Sequence, residues 1–358
     1  MTIAPEQLDE NKVEEFSERI LSLYVDNSLT YMIDIGYRTG LFEAATEGPA
    51  TSAELAARAG LTERYVREWL GALTTGGVFG YDETTKTYTL PPEHAVCLSG
   101  DTEFNLAPMS IMGALLAKTL GDVAQAFREG GGVPYSGFPE FTEAMDQMSR
   151  QAYDAVLVDA WLPLANGLTE RLREGARVAD VGCGSGHAVN VLAREFPASN
   201  FTGYDISDEG IDRARKEASD FGVSNASFET VDVAHLRVGE PLDVAFAFDA
   251  IHDQVDPAAV LARVFESLAP GGTFVMVDIK AASALEENLD NPFAPLLYSV
   301  STLHCLTVSL AHGGAGLGTV WGQELAFSML ADAGFVGAEV HDTPGDPMNC
   351  LYVASKPI

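Results

Sequence analysis

The sequence predicts an α/β protein: a doubly wound parallel sheet in the C-terminal half, preceded by a smaller, mainly α domain. From Arg177 onward, apolar strand-like runs alternate with helical stretches, the pattern of a parallel sheet covered by helices. The first of these runs enters a glycine-rich turn that opens a helix. The length of 358 residues suits two or three units. We therefore expect segments 1–100, 101–176 and 177–358.

Composition narrows the classes of function. Asp and Glu number 52 against 21 Lys and Arg, a net charge of −31, which argues against a nucleic-acid or anionic membrane surface. No apolar run is long enough to cross a bilayer, and Met1 to Glu18 lacks a signal-peptide pattern. The four cysteines are scattered, so neither a zinc site nor a disulfide framework is indicated. We expect a reduced, cytoplasmic and metal-independent protein.

The N-terminal segment has the pattern of a winged helix-turn-helix. A helix is predicted over Asn27 to Ala45, then a helix capped by Thr51 or Ser52, and a third over Leu61 to Leu73. Strands at Val78 to Tyr81 and Thr87 to Leu90 complete the wing. Residues 1–100 nevertheless carry a net charge of −9. Packing or dimerisation is therefore favoured over DNA binding.

The middle segment is helical, rich in aromatic and Met side chains, and interrupted by a loop at Gly130 to Tyr135. Two interpretations stay open: an ordinary helical core, which we expect for most of these side chains, or an apolar lid over a small-molecule pocket. The side chains concerned are Met109, Met112, Phe127, Tyr135, Phe138, Phe141, Met145, Met148, Tyr153 and Trp161.

The C-terminal segment contains seven predicted strands, with helices between them. The strands are Arg177–Val181, Asn200–Tyr204, Ala226–Thr230, Leu242–Phe248, Thr273–Ile279, Ala338–Thr343 and Cys350–Ser355. The helices are His187–Glu195, Glu209–Phe221, Pro257–Leu268 and Gln323–Ala333. His304 lies in an apolar helical stretch, where a satisfied core or pocket-wall histidine is expected.

A glycine turn and three acids form the most specific pattern of the chain. The turn has glycines at 182, 184 and 186, so its spacing is G-x-G-x-G and not the dinucleotide pattern G-x-G-x-x-G. Asp180 precedes it, Asp205 ends the next strand at the distance expected of a ribose-binding acid, and Asp232 follows the third strand. The alternative is a set of helix-capping carboxylates.

This pattern resembles that of the class I S-adenosylmethionine-dependent methyltransferases over about Arg177 to Ile358. The family's first motif, E/D-x-G-x-G-x-G, is matched by Asp180, Gly182, Gly184 and Gly186. The resemblance implies a Rossmann-like seven-stranded sheet whose last strand, Cys350–Ser355, is antiparallel. It implies S-adenosylmethionine as the cofactor.

The same resemblance assigns further residues. It implies that Asp205, beside Ile206, holds the ribose hydroxyls and that Asp232, beside Val233, accepts from the adenine amino group. Asp249, within Phe248 to His252, would lie near the methionine part and the methyl group.

The whole chain resembles small-molecule O-methyltransferases with a winged-helix N-terminal domain. In that group the base is the His of a Leu/Ile-His-Asp-Trp-x-Asp stretch, matched here by Ile251 to Asp256 with Gln254 in place of Trp. His252 thus maps onto the base and Asp278 onto the acid that orients it. A second family acid falls near Val320 and is missing.

We therefore predict methyl transfer to a small, partly apolar acceptor, most readily at oxygen, by a homodimer paired through the N-terminal domain. Two alternatives stay open. One is a ligand-sensing transcriptional regulator that uses the winged helix. The other is a non-methylating enzyme on the same cofactor fold.

Overall fold

The computed structural model describes residues 8–102 and 104–358, and the chain forms two compact units, Met1–Ala114 and Leu115–Ile358. The first unit opens with a 30-residue helix, α1 (Glu10–Thr39), and a short helix, α2 (Leu41–Ala45). Gly40 separates them because it adopts a left-handed conformation with φ 69°, which ends a helix readily. The single helix predicted over Asn27 to Ala45 is thus broken at Gly40 and extends further towards the N-terminus.

The predicted winged helix-turn-helix is present in the first unit. Its elements are α3 (Ser52–Ala59), α4 (Glu63–Thr75), β1 (Gly80–Asp82), β2 (Thr87–Thr89) and α5 (Pro92–Leu98). Thr51 and Glu54 form the predicted capping box at the start of α3. The core of the unit includes Phe42 and Trp69, whose ring centroids lie 5.3 Å apart.

The second unit begins with helices that precede the sheet. They are α6 (Ser110–Ala117, which crosses the unit boundary), α7 (Leu120–Glu129), α8 (Phe141–Ala152), a π-helical continuation (Tyr153–Trp161) and α9 (Leu168–Glu174). Short 3₁₀ turns lie at Ala107–Met109, Tyr135–Gly137 and Leu162–Leu164. Of the ten large apolar side chains assigned mostly to a core, only Phe138 and Trp161 are buried. Phe127 and Tyr135 are exposed and the other six are half-buried, with Tyr153 packed against the core of the sheet, so both interpretations stay open.

The sheet has seven strands in the order β5-β4-β3-β6-β7-β9-β8. The strands are β3 (Arg177–Val181), β4 (Asn200–Asp205), β5 (Ala226–Thr230), β6 (Leu242–Phe248), β7 (Leu268–Ile279), β8 (Val336–Asp342) and β9 (Asn349–Ser355). Only β9 runs antiparallel to its neighbours, which confirms the predicted sheet. β7 begins five residues earlier than predicted, because Leu268 already pairs with Leu242 before a register shift.

Helices cover both faces of this sheet. They are α10 (His187–Glu195), α11 (Asp208–Phe221), α12 (Pro257–Ser267), α13 (Ala294–Val300), α14 (Leu306–Leu310) and α15 (Gln323–Ala333). Between them lie 3₁₀ turns at Val233–His235 and Leu285–Glu287 and a π-helical turn at Ser301–Cys305. Neighbouring residues of β3 pack into different cores, Val178 on one face and Ala179 on the other. The carboxyl ends of the parallel strands therefore meet at one edge of a rigid, doubly covered sheet.

Candidate functional site

The glycine turn between β3 and α10 is held by close packing at two of its three glycines. A Cβ on Gly182 would lie 2.5 Å from the Cβ of Ala250, and one on Gly186 would lie 2.5 Å from the Cβ of Ala214. The nearest atom to a Cβ on Gly184 would be 4.0 Å away. All three have positive φ, from +54° to +80°. Packing thus requires glycine at the two ends of the turn, while a Cβ on the middle glycine would make only an ordinary contact with Thr142.

Two carboxylates lie at this turn, the buried Asp180 and the half-buried Asp205. Asp205, at the end of β4, accepts hydrogen bonds from the amides of Gly184 and Ser207, each at 2.8 Å. Asp180, near the end of β3, has a buried oxygen, Oδ1, without a hydrogen-bond partner. Burial, followed by the charge of Asp205, raises the pKa of Asp180 to about 8. Burial also raises the pKa of Asp205. The pair is therefore suited to a cationic or hydrogen-bond-donating group.

Asp232 and Val233, the residues predicted to contact an adenine ring, lie beyond β5. Both oxygens of Asp232 are engaged locally, with the amide of Ala234 at 3.0 Å and with Nδ1 of His235 at 2.9 Å. Val233 is buried, whereas Ile206, the cofactor contact predicted next to Asp205 after β4, is 65% exposed. Asp232 thus caps a short turn, as in the alternative interpretation of the acids, and its predicted ligand role stays a prediction.

Asp249 follows β6 in a strained conformation. Its φ is +51°, a left-handed value that is unfavourable for a residue with a side chain. Its Oδ2 accepts from Asn349 Nδ2 at 3.3 Å, while its buried Oδ1 has no partner. Burial, reinforced by the charge of Asp278, raises its pKa to about 8. Strain together with an unpartnered buried oxygen is a feature typical of binding sites.

His252 and Asp278 are brought together in a buried pair. His252 Nδ1 donates to Asp278 Oδ1 at 2.7 Å, and Trp321 Nε1 donates to the same oxygen at 3.0 Å. Burial alone would lower the pKa of His252, but the charge of Asp278 outweighs it and raises the pKa well above its ordinary value. Trp321 is next in sequence to Val320, near which the family acid is missing. Its indole N–H contacts Asp278, the residue predicted to orient the base.

A group of aromatic side chains lies next to this pair. The sequence singles out its members separately but does not predict that they meet. His304 stacks on Phe141, with centroids 3.5 Å apart at 9°, and meets the edges of Phe138 and Tyr135. The Tyr135 hydroxyl donates to Asp253. Neither ring nitrogen of His304 has a partner, so it is not a satisfied core histidine, and the predicted alternative of a pocket-wall histidine stays open. We call Tyr135, Phe138, Phe141 and His304 the aromatic cluster.

Helix α8 is tied to the glycine turn by polar contacts that the sequence pattern did not predict. Ser185 Oγ donates to Asp146 Oδ1 at 2.7 Å. Arg150 donates to Glu217 of α11 and, at 2.8 Å, to Asp146. Burial would raise the pKa of Glu217, but hydrogen bonds, led by that from His187, lower it to about 2. The sequence signal for these contacts of α8 is a row of charged residues, and a solvent-exposed helix shows the same pattern.

Among the described residues, no group of three or more His, Cys, Asp or Glu side chains is arranged to hold a metal ion. All four cysteines are free thiols. None of the helices in the described ranges is both long and apolar enough to cross a bilayer.

Two family models match the chain. Residues 172–329 match a methyltransferase domain, and residues 27–100 match the Rv2258c-like winged HTH domain. The chain carries a class I methyltransferase domain behind a winged helix-turn-helix domain. The predicted family and domain types are thereby confirmed.

Relatives of known name match the methyltransferase domain. A trans-aconitate 2-methyltransferase of Methylobacterium nodulans is 30% identical over 162 residues, covering 45% of this chain and 54% of its own length. The chain spans about half the length of the curated relatives it matches. Two solved structures share the fold over the whole chain. Mitomycin 7-O-methyltransferase has a TM-score of 0.71 at 18% identity, covering 97% of this chain and 100% of its own.

The second structure is human N-acetylserotonin methyltransferase in complex with S-adenosylmethionine. Its TM-score is 0.68 at 17% identity, covering 99% of this chain and 100% of its own. At these identities the likeness concerns the fold alone.

Proposed function

We propose that this protein transfers a methyl group from S-adenosylmethionine to the oxygen of a small, partly apolar acceptor. The observation that carries the proposal is the buried His252–Asp278 pair, located after β6 and at the end of β7 in a methyltransferase domain. The O-methyltransferase fold of the solved neighbours supports it.

The residues at the strand ends fit S-adenosylmethionine, whose sulfonium and amino groups are cationic. Asp180 and Asp249 each present a buried oxygen without a partner, and burial raises the pKa of each to about 8. A cation beside them would stabilise their ionised forms. Gly184 has no side chain of its own at the turn, as a ligand that approaches the backbone requires.

We assign the remaining cofactor contacts as the sequence predicts them. Asp205 holds the ribose hydroxyls, with its carboxylate oriented by the amide of Gly184. Ile206 lies beside Asp205 as a further cofactor contact, and Asp232 and Val233 hold the adenine. When bound, S-adenosylmethionine supplies a methyl carbon whose bond to sulfur breaks, with its electron pair kept by sulfur, as the acceptor oxygen bonds to that carbon.

In this proposal His252 removes the proton of the acceptor hydroxyl. Its Nδ1 donates to Asp278, so the other ring nitrogen, Nε2, is the one that acts as the base. Asp278 and Trp321 fix the ring orientation without contact with the acceptor. A positioned base typically contributes about 10²–10⁴-fold to the rate.

The winged helix serves, in this proposal, to pair two copies and not to bind DNA. Arg64 and Arg67 of α4 are both engaged by Glu68 and Glu63 of the same helix. Helix α1, by contrast, exposes large apolar side chains along its first half: Phe16, Leu21, Tyr24 and Val25. Light scattering of the whole chain tests this point, with twice the monomer mass as the expected result.

His252→Ala tests the catalytic part. We expect product formation from an accepted substrate to fall by at least about 10²-fold, while calorimetry gives an unchanged affinity for S-adenosylhomocysteine. His312→Ala, at an exposed histidine, is the matched control. Near-normal turnover by His252→Ala would show that another group takes the proton.

A further inference from the structure

We infer that His304 selects the acceptor by hydrogen-bonding a second polar group next to the reacting hydroxyl. The acceptor is then an uncharged, planar hydroxyaromatic compound with two neighbouring polar groups. This inference rests on the proposed function and names the class of its substrate.

The first support is the position of His304. The helix that carries it turns into a π-helical segment at Ser301–Cys305, an irregularity common at functional sites. The side chain is fully buried, yet Nδ1 and Nε2 both lack hydrogen-bond partners. Buried polar atoms are almost always paired in native proteins, so two unpaired nitrogens on one ring require a reason. A ligand that pairs with them supplies one.

The second support is the protonation state of this ring. Burial, followed by the nearby charge of His252, lowers the pKa of His304 to about 3, so the imidazole is neutral. A neutral imidazole has one N–H donor and one acceptor nitrogen. It therefore suits a hydroxyl or a carbonyl and does not neutralise a carboxylate.

The third support is the shape of the aromatic cluster. Phe141 lies parallel to the His304 ring at 3.5 Å, and the edge contacts of Phe138 and Tyr135 have centroid distances of 4.6 and 5.5 Å. Flat rings around a polar edge favour a planar apolar body. Val133 lies in the loop from Gly130 to Tyr135, and its amide donates to Thr307 Oγ1 of α14 at 2.8 Å. This hydrogen bond holds the loop against the helix that follows His304.

The fourth support is charge. Asp253 accepts from Tyr135, and Asp278 accepts from His252, so carboxylates flank the aromatic cluster on the side of the base. Burial, opposed by the charge of His252, raises the pKa of Asp253 to about 6, which leaves it mainly anionic at neutral pH. An anionic acceptor would be repelled there. The trans-aconitate named for the sequence relatives is a carboxylate and is therefore not expected here.

The test compares acceptors that differ by one polar group. Catechol is paired with phenol, 2,3-dihydroxynaphthalene with 2-naphthol, and trans-aconitate serves as the anionic probe. Turnover with S-adenosylmethionine and calorimetric binding in the presence of S-adenosylhomocysteine are both measured. We expect the dihydroxy compound of at least one pair to be favoured by about tenfold or more, with no binding of trans-aconitate.

His304→Phe keeps a planar ring on Phe141 and removes both nitrogens. We expect the ratio within the favoured pair to fall to near one, and His304→Gln to restore part of it. His312→Phe, at an exposed histidine, should leave the ratio as in the wild type. A specificity role also predicts that the free His304→Phe protein melts at the same temperature or up to about 4 °C higher, because two unpaired buried nitrogens are removed.

Three results would overturn the inference: equal binding within both pairs, a ratio unchanged by His304→Phe, or a clearly lower melting temperature for that variant. Affinity of the wild type for S-adenosylhomocysteine is measured first. If the wild type does not bind S-adenosylhomocysteine, the proposed function itself is rejected. If it binds and any of the three results is found, only the role of His304 is rejected.

Discussion

The charge of Asp278 controls the pKa of His252, and two substitutions should shift this pKa in opposite directions. Asp278 Oδ1 receives hydrogen bonds from His252 Nδ1, Trp321 Nε1 and the amide of Ile279, while Oδ2 is buried without a partner. Trp321→Phe removes one donor and leaves a ring of similar shape. The carboxylate of Asp278 then has one hydrogen-bond donor fewer, so its charge stabilises the imidazolium of His252 further.

The magnitude follows from this contact. A hydrogen bond to a charged group contributes about 1.5–3 kcal/mol, and one pH unit corresponds to about 1.4 kcal/mol. Trp321→Phe should therefore raise the pKa of His252 by up to about 1–2 units. Asp278→Asn removes the charge that raises this pKa, so burial dominates and the pKa falls below that of the wild type.

Titration of the histidine side chains by NMR, assigned with His252→Ala, measures both effects without an acceptor. Because a base must be neutral to act, the wild-type rate should increase with pH through a midpoint above the ordinary histidine value of about 6.5. The midpoint should be higher in Trp321→Phe and lower in Asp278→Asn. Shifts of the same sign in both variants would refute the proposed coupling.

Further predictions concern the glycine turn and the buried acids. Gly186→Ala should lower the free energy of unfolding by about 2–5 kcal/mol, because its Cβ would meet Ala214 at 2.5 Å in addition to left-handed strain. Gly184→Ala introduces only the left-handed strain and should lower the free energy of unfolding by about 1–2 kcal/mol. Equal losses for the two variants in urea denaturation would contradict the packing argument. Binding of S-adenosylmethionine at pH 7 should release protons, seen by calorimetry in buffers of different ionisation enthalpy, because a cation favours the ionised form of Asp249, whose pKa is about 8. Asp249→Asn should reduce this release, and an unchanged release would exclude Asp249 as its source.

The sheet and its glycine turn could be predicted because their signals are local. Strand and helix runs have their own periodicities, and the G-x-G-x-G spacing after β3 marks one turn. The break at Gly40 and the early start of β7 were missed. The first depends on one backbone conformation, and the second depends on pairing with a residue 26 positions away.

The site was predicted less completely because its missing parts depend on contacts distant in sequence. His304 is one of seven histidines in the sequence, and only the structure brings Phe141 onto its ring. The contact from Trp321 to Asp278 joins residues 43 apart. The links from α8 to the glycine turn likewise join segments separated by about 40 residues or more.

Calorimetric titration of the whole chain with S-adenosylmethionine and S-adenosylhomocysteine tests the central claim most directly. The half-buried carboxylate of Asp205, oriented by the amides of Gly184 and Ser207, predicts micromolar binding that Asp205→Ala abolishes or weakens strongly. Unchanged thermal unfolding of that variant would separate a loss of contact from a loss of structure. Absence of binding by the folded wild type to either compound would contradict the account.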